Sequence, residues 1–169
     1  MLINRILIVF LRFLVFLRYR VTLKGLDTIA NEKSDAPILL IPNHPAWIDP
    51  PIMMSVVYPR FQPGVVMDEY QASLPFVSWL AKRFKAILIP HDCIVGDNTG
   101  GAIHGALSKV TERLRSGGRV LFYPPGALQR TRYTEIGGKS GVETLVKAMP
   151  NLRVVLVRTT GLWGSSLSY

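Results

Sequence analysis

The residues of this chain whose types and spacing suit proton transfer are His44, preceded by Asn43, and Asp49 five positions further on. Histidine titrates near neutral pH, and a carboxylate bonded to one imidazole nitrogen leaves the other basic and aimed outward. His44 and Asp49 sit on one short connection that can fold back to make that bond. The result would be a general base with its orienting carboxylate. A plainer reading competes with it: an Asp before Pro commonly caps a helix, and a single His at a strand end is more often structural than chemical.

The elements that must hold the pair can be read around it. Ile38-Leu39-Leu40-Ile41 is a short, wholly apolar run that reads as a buried strand emptying into the Asn43-His44 loop. Pro50-Pro51 suits the first turn of a helix to about Tyr58, because proline there gives up an N–H that has no intrahelical partner. Val21 to Gly25 alternates apolar and polar residues as a half-buried strand does, and 31–35 reads as a solvated connection. Further core strands are expected at Gly64–Met67, Ala86–Pro90 and Arg119–Tyr123, and a last strand at Arg153–Val157. Helices are expected at Ser73–Phe84, Ile103–Leu114 with a Ser116-Gly117-Gly118 stop, and Ser140–Met149. The alternation predicts an α/β domain, a mostly parallel central sheet flanked by helices whose crevices open at the strands' C-terminal ends.

Residues 2–17 are the most apolar stretch, and at 100° per residue Arg5, Arg12 and Arg20 fall on one face. Arg12 interrupts the run, so a helix lying in a membrane interface is favoured over one that spans, with a buried core helix as the alternative. The chain divides into this membrane-associating segment, 1–19, and a domain, 20–169. Its 169 residues, 49% hydrophobic, carry 20 Lys+Arg against 11 Asp+Glu, a net charge of +9. That balance favours phospholipid surfaces, phosphorylated molecules or nucleic acid. No interleaving of basic and aromatic residues supports nucleic acid, and Trp47, Trp79 and Trp163 suit packing or an interface better than base stacking. The single cysteine, Cys93, excludes an internal disulfide, and the three histidines lack the spacing of a metal-ligand set. His104 falls on the polar side of its helix. Gly137-Gly138-Lys139-Ser140 fails as a nucleotide phosphate loop because Tyr133 stands where that pattern needs glycine, although a helix start with two glycines can still meet an anion.

Asn-His-x-x-x-x-Asp after a buried strand resembles the first motif of the glycerolipid acyltransferase superfamily, which includes the 1-acylglycerol-3-phosphate O-acyltransferases. The resemblance implies that His44 deprotonates an acceptor hydroxyl and Asp49 holds it in place, with Asn43 beside them in the substrate site. Two further blocks have counterparts. The third usually reads Phe-Pro-Glu-Gly-Thr-Arg; here Tyr123-Pro124-Pro125-Gly126-Ala127-Leu128 keeps Pro124 and Gly126 and loses the Glu and Arg. Arg130 and Arg132 lie close enough to supply the missing charge. The second block normally ends its strand with Arg, and this chain offers His91. By resemblance, the substrate site draws on Asn43, His91, Tyr123, Pro124, Gly126, Arg130 and Arg132. The family likeness further implies an enzyme moving a fatty acyl group from acyl-CoA or acyl-ACP to a hydroxyl of a lysophospholipid-like acceptor in phospholipid biosynthesis or remodelling. Such an enzyme would hold no bound cofactor and work on the cytoplasmic face of a membrane, peripheral or monotopic. The rival expectation is a catalytically altered lipid-surface or partner-binding module on the same fold. Domains of that family usually continue further, which leaves open that the chain is a fragment.

Overall fold

The computed structural model describes residues 2–91, 100–124, 128 and 141–165, the side chains of 100–103 excepted. Its strands are β1 (Ile38–Pro42), β2 (Gly64–Asp68), β3 (Ile87–Ile89), β4 (Arg119–Leu121) and β5 (Arg153–Val157). All pair in parallel, in the order β3-β2-β4-β1-β5. The helices are α1 (Leu2–Arg18), α2 (Leu26–Asn31), α3 (Asp49–Phe61), α4 (Glu69–Ala72), α5 (Pro75–Arg83), α6 (Gly100–Arg115) and α7 (Gly141–Ala148).

β1 lies between β4 and β5, with Leu40 level with Leu121 on one side and Val155 on the other. A parallel strand in that position is covered on both faces, which is why its sequence is continuously apolar. Successive side chains point to opposite faces, so Leu40 packs with Met53, Val57 and Phe61 of α3, while Leu39 packs with Val110 and Leu114 of α6 and Leu145 of α7. Each such fully buried side chain contributes roughly 1.5–3 kcal/mol. The strand that delivers His44 is thus the most firmly held part of the sheet.

Several elements depart from the sequence expectation. Val21 to Gly25 forms no strand: Val21 is drawn against the core while Thr22, Leu23 and Lys24 stay exposed, and no strand pairs with them among the described residues. The helix expected over 73–84 is α5, and the short α4 ahead of it was not expected; the two are separate because Leu74 precedes a proline and takes an extended conformation (φ −63°, ψ 133°). α5 buries only Ala81 and leaves Phe76 and Trp79 outward. β3, expected as a core strand, is an edge of the sheet; β5 is the other edge, and its Leu156 is 80% exposed. α6 ends as expected: Gly117 adopts φ 73° and the Gly118 N–H bonds the Arg113 carbonyl.

α1 packs a stripe of Asn4, Ile8, Leu11 and Val15 toward α3, and the Asn4 amide donates to Tyr58 Oη at 3.0 Å. Ile6, Phe10, Phe13 and Leu17 face outward. Arg5 and Arg12 are on the helix, but Arg20 lies beyond its last residue, so the expected three-arginine face has two members. Among the described residues no helix is long and apolar enough to cross a membrane.

Candidate active site

The C-terminal ends of parallel strands converge on one rim of the sheet, and the chemistry-bearing side chains are found there. His44 stands two residues past β1. Asp49 is the first residue of α3, one position inside the helix from the cap expected in the plainer reading, and Ile48 holds the cap position without a side-chain bond. Asp49 is buried completely, and the His44 side chain is 15% exposed. His44 Nδ1 faces Asp49 Oδ2 at 3.7 Å, beyond hydrogen-bond length, so the expected bond is not closed in this arrangement. Nδ1 is buried without a partner, as are both Asp49 oxygens. The sequence explains why those oxygens are unspent. Pro50 and Pro51 follow immediately, and neither offers the backbone N–H that would otherwise cap a first-turn carboxylate. The positive end of α3 still favours the negative charge there.

Asn43, expected in the substrate site, stands beside His44 and is bonded to the segment after β5. Its Nδ2 donates to the Thr159 carbonyl at 3.0 Å, and its Oδ1 accepts from the Thr159 N–H at 2.7 Å. Both ends of the amide therefore tie the turn carrying His44 to the chain leaving β5. Tyr123, also expected at the substrate, lies beside the pair: its ring centroid is 4.6 Å from that of His44, tilted 39°. Its Oη is buried without a hydrogen-bond partner. Burial and the facing Asp49 carboxylate hold the Tyr123 phenol well above its ordinary pKa, so it keeps its proton. Pro124 follows it, half-buried.

A second His-Asp pair occupies the far end of the same rim. His91 Nδ1 lies 2.6 Å from Asp68 Oδ2; the histidine side chain is 48% exposed and the aspartate 7%. Asp68 Oδ1 accepts from the Tyr70 N–H at 2.9 Å, capping α4. Sequence reasoning found His91 and missed Asp68. The available signal was an aspartate ending the apolar run Val65-Val66-Met67, the same strand-then-acid pattern that drew attention to the Asn43 loop. Asp68 ends β2, and β4 alone lies between β2 and β1, so that carboxylate stands about two strand spacings of ~4.8 Å from the strand that delivers His44. Gly126, Arg130 and Arg132 lie outside the described residues, as do Cys93 and 137–140.

The sequence matches the family described as Acyltransferase over residues 20–158. The chain belongs to that acyltransferase family. No curated protein matches it. Its fold is similar to the crystal structure of the 1-acyl-sn-glycerophosphate (LPA) acyltransferase PlsC from Thermotoga maritima, at a TM-score of 0.51 and 18% identity. That likeness covers 68% of this chain and 42% of the other, so this chain spans under half of that relative's length. The chain also carries a groove of about 480 Å³ between α3, β5 and the segment after α1. Ile52, Met53, Val56 and Val157 line it, and Arg18, Arg20 and Arg158 stand around it.

Proposed function

We propose that this chain transfers a fatty acyl group from a thioester, acyl-CoA or acyl carrier protein, to the hydroxyl of an anionic lysophospholipid-like acceptor at a membrane surface. The observation that carries the reading is the pairing of His44 Nδ1 with a buried, otherwise unbonded Asp49 carboxylate at the sheet rim of an acyltransferase-family chain. The acceptor hydroxyl gives its proton to His44 Nε2 as its oxygen attacks the thioester carbonyl. The new C–O bond forms, the C–S bond breaks, and the departing thiolate takes the proton back from the imidazolium. Asp49 stabilises that imidazolium and fixes the ring's tautomer. No acyl-enzyme is formed, so Cys93 takes no part.

The apolar groove bordered by arginines suits an acyl chain with an anionic head, and the +9 net charge and the outward apolar residues of α1 suit an anionic bilayer. The open 3.7 Å separation, together with Pro125 in place of the third motif's Glu, favours a second reading: a lipid-surface module that has kept the fold and lost turnover. One experiment separates the two. His44→Ala should lower acyl transfer roughly 10²- to 10⁴-fold in an assay of acyl-CoA with a panel of lysolipids, with the thermal melt unchanged. Equal rates for the variant and the wild type, or none for either, would overturn the enzymatic reading. A preference for neutral acceptors would refute the anionic one alone.

A further inference from the structure

We propose that Tyr123 is a positioning residue, donating its phenolic O–H to Asp49 and thereby aiming the carboxylate at Nδ1 of His44. This rests on the reading of His44 as the base. Four buried polar atoms stand together without hydrogen bonds: His44 Nδ1, both Asp49 oxygens and Tyr123 Oη. Two are donors or can be, and two are acceptors, so the set is complementary within itself. Leaving any one unpaired costs about 1–3 kcal/mol, a strong drive for the set to close when the acceptor excludes water.

The backbone fixes who can partner whom. The N–H of Phe122 bonds the Leu40 carbonyl at 2.9 Å, extending the β1–β4 ladder past Leu121 and setting Tyr123 against the turn of His44. Prolines at 50 and 51 deny Asp49 two backbone donors. Among the described residues, side chains are what remain for it, and the carboxylate has two oxygens: one for Tyr123, one for His44. The raised pKa of the phenol agrees, since a group that keeps its proton beside a carboxylate is a donor at every pH where the base works. Tyr123 thus exchanges no proton with substrate; it acts through Asp49.

Tyr123→Phe keeps the ring against His44 and removes only the donor. It should lower kcat about tenfold, the worth of one hydrogen bond to a charged group, with KM within about twofold. In an Asp49→Asn background the same change should have no further effect, because both substitutions break one chain of contacts. Wild-type kcat, a loss confined to KM, or additive losses would overturn the proposal. A second measurement needs no turnover. In the alkaline absorbance titration of Asp49→Asn, the phenol of Tyr123, identified by subtracting the same titration of Tyr123→Phe, should ionise at lower pH than with Asp49 present. An unmoved titration would overturn the contact. Failure of the base reading is distinguishable, since it shows as wild-type turnover by His44→Ala whatever Tyr123 does.

Discussion

Asp49 is a carboxylate buried without a bonded donor, and that is costly unless something else holds its charge. The first turn of α3 and the facing imidazole are what hold it, so the arrangement keeps an unsatisfied acceptor at the place where an imidazolium would form. The same carboxylate has a consequence for Tyr123 that needs no substrate. The folded protein favours the neutral phenol, whereas an unfolded tyrosine ionises near pH 10.0. Above that pH the unfolded chain sheds a proton that the folded chain retains, so stability present below pH ~10 is lost as pH rises. Tyr123→Phe lacks this loss. Denaturation midpoints at pH 8 and at about pH 10.5 should therefore diverge in favour of the variant at the higher value. A constant difference between the two proteins would mean that the phenol is not held in this environment.

Between elements, the decisive link is Asn43. β1 and β5 are already paired from Ile38 level with Arg153 through Pro42 level with Val157, and the Asn43 N–H bonds the Val157 carbonyl at 3.3 Å. The two side-chain bonds to Thr159 extend this pairing by one more step on a strand that is otherwise an edge. The turn that carries His44 is thereby tied down at its beginning by β5 and at its end by α3, where the Asp49 N–H bonds the Ala46 carbonyl at 3.0 Å. Asn43→Ala leaves the Thr159 N–H and carbonyl without these partners and should cost about 2 kcal/mol, a fall in Tm of roughly 4–8 °C for a domain of this size. Because the freed turn bears His44, kcat should fall as well. A variant with an unchanged melt and lower activity alone would place Asn43 at the substrate instead.

At the scale of the whole molecule, apolar surface is distributed unevenly. One stripe of α1 is used against α3, which accounts for the buried Ile8 and Val15, and the opposite residues Phe10 and Phe13 have nothing over them among the described residues. The sequence offered an interfacial helix and a core helix as alternatives; α1 packs on the protein with one stripe and shows apolar residues outward on the rest. Docking on an anionic bilayer would bury that outward side, and each Phe transferred is worth roughly 1.5–3 kcal/mol, or at least tenfold in partitioning. Phe10→Glu with Phe13→Glu should thus release the protein from phosphatidylglycerol vesicles in a flotation assay, without lowering Tm. Full binding by the double variant would show that another surface holds the membrane.

Local pattern was enough wherever a segment's neighbours did not matter. The apolar run into Asn43, the prolines opening α3, the glycine stop of α6 and β5 at Arg153–Val157 were all legible, because burial on both faces, a missing N–H and a left-handed turn each leave a mark within a few residues. His44 and Asp49 were legible as a pair for the same reason, lying five apart on one connection. Strand order was not, and everything that depended on it was left to the fold. Alternation at Val21–Gly25 promised a strand that has no partner among the described residues, and the apolar runs of β3 and β5 did not disclose that they are edges. Asp68 meets His91 across 23 residues, Asn43 meets Thr159 across 116, and Tyr123 reaches the Asp49 site only because β4 docks beside β1. Periodicity reports which face of an element is buried. What that face is buried against is set by how the helices and strands fill space together, and here that packing decided which side chains stand around His44.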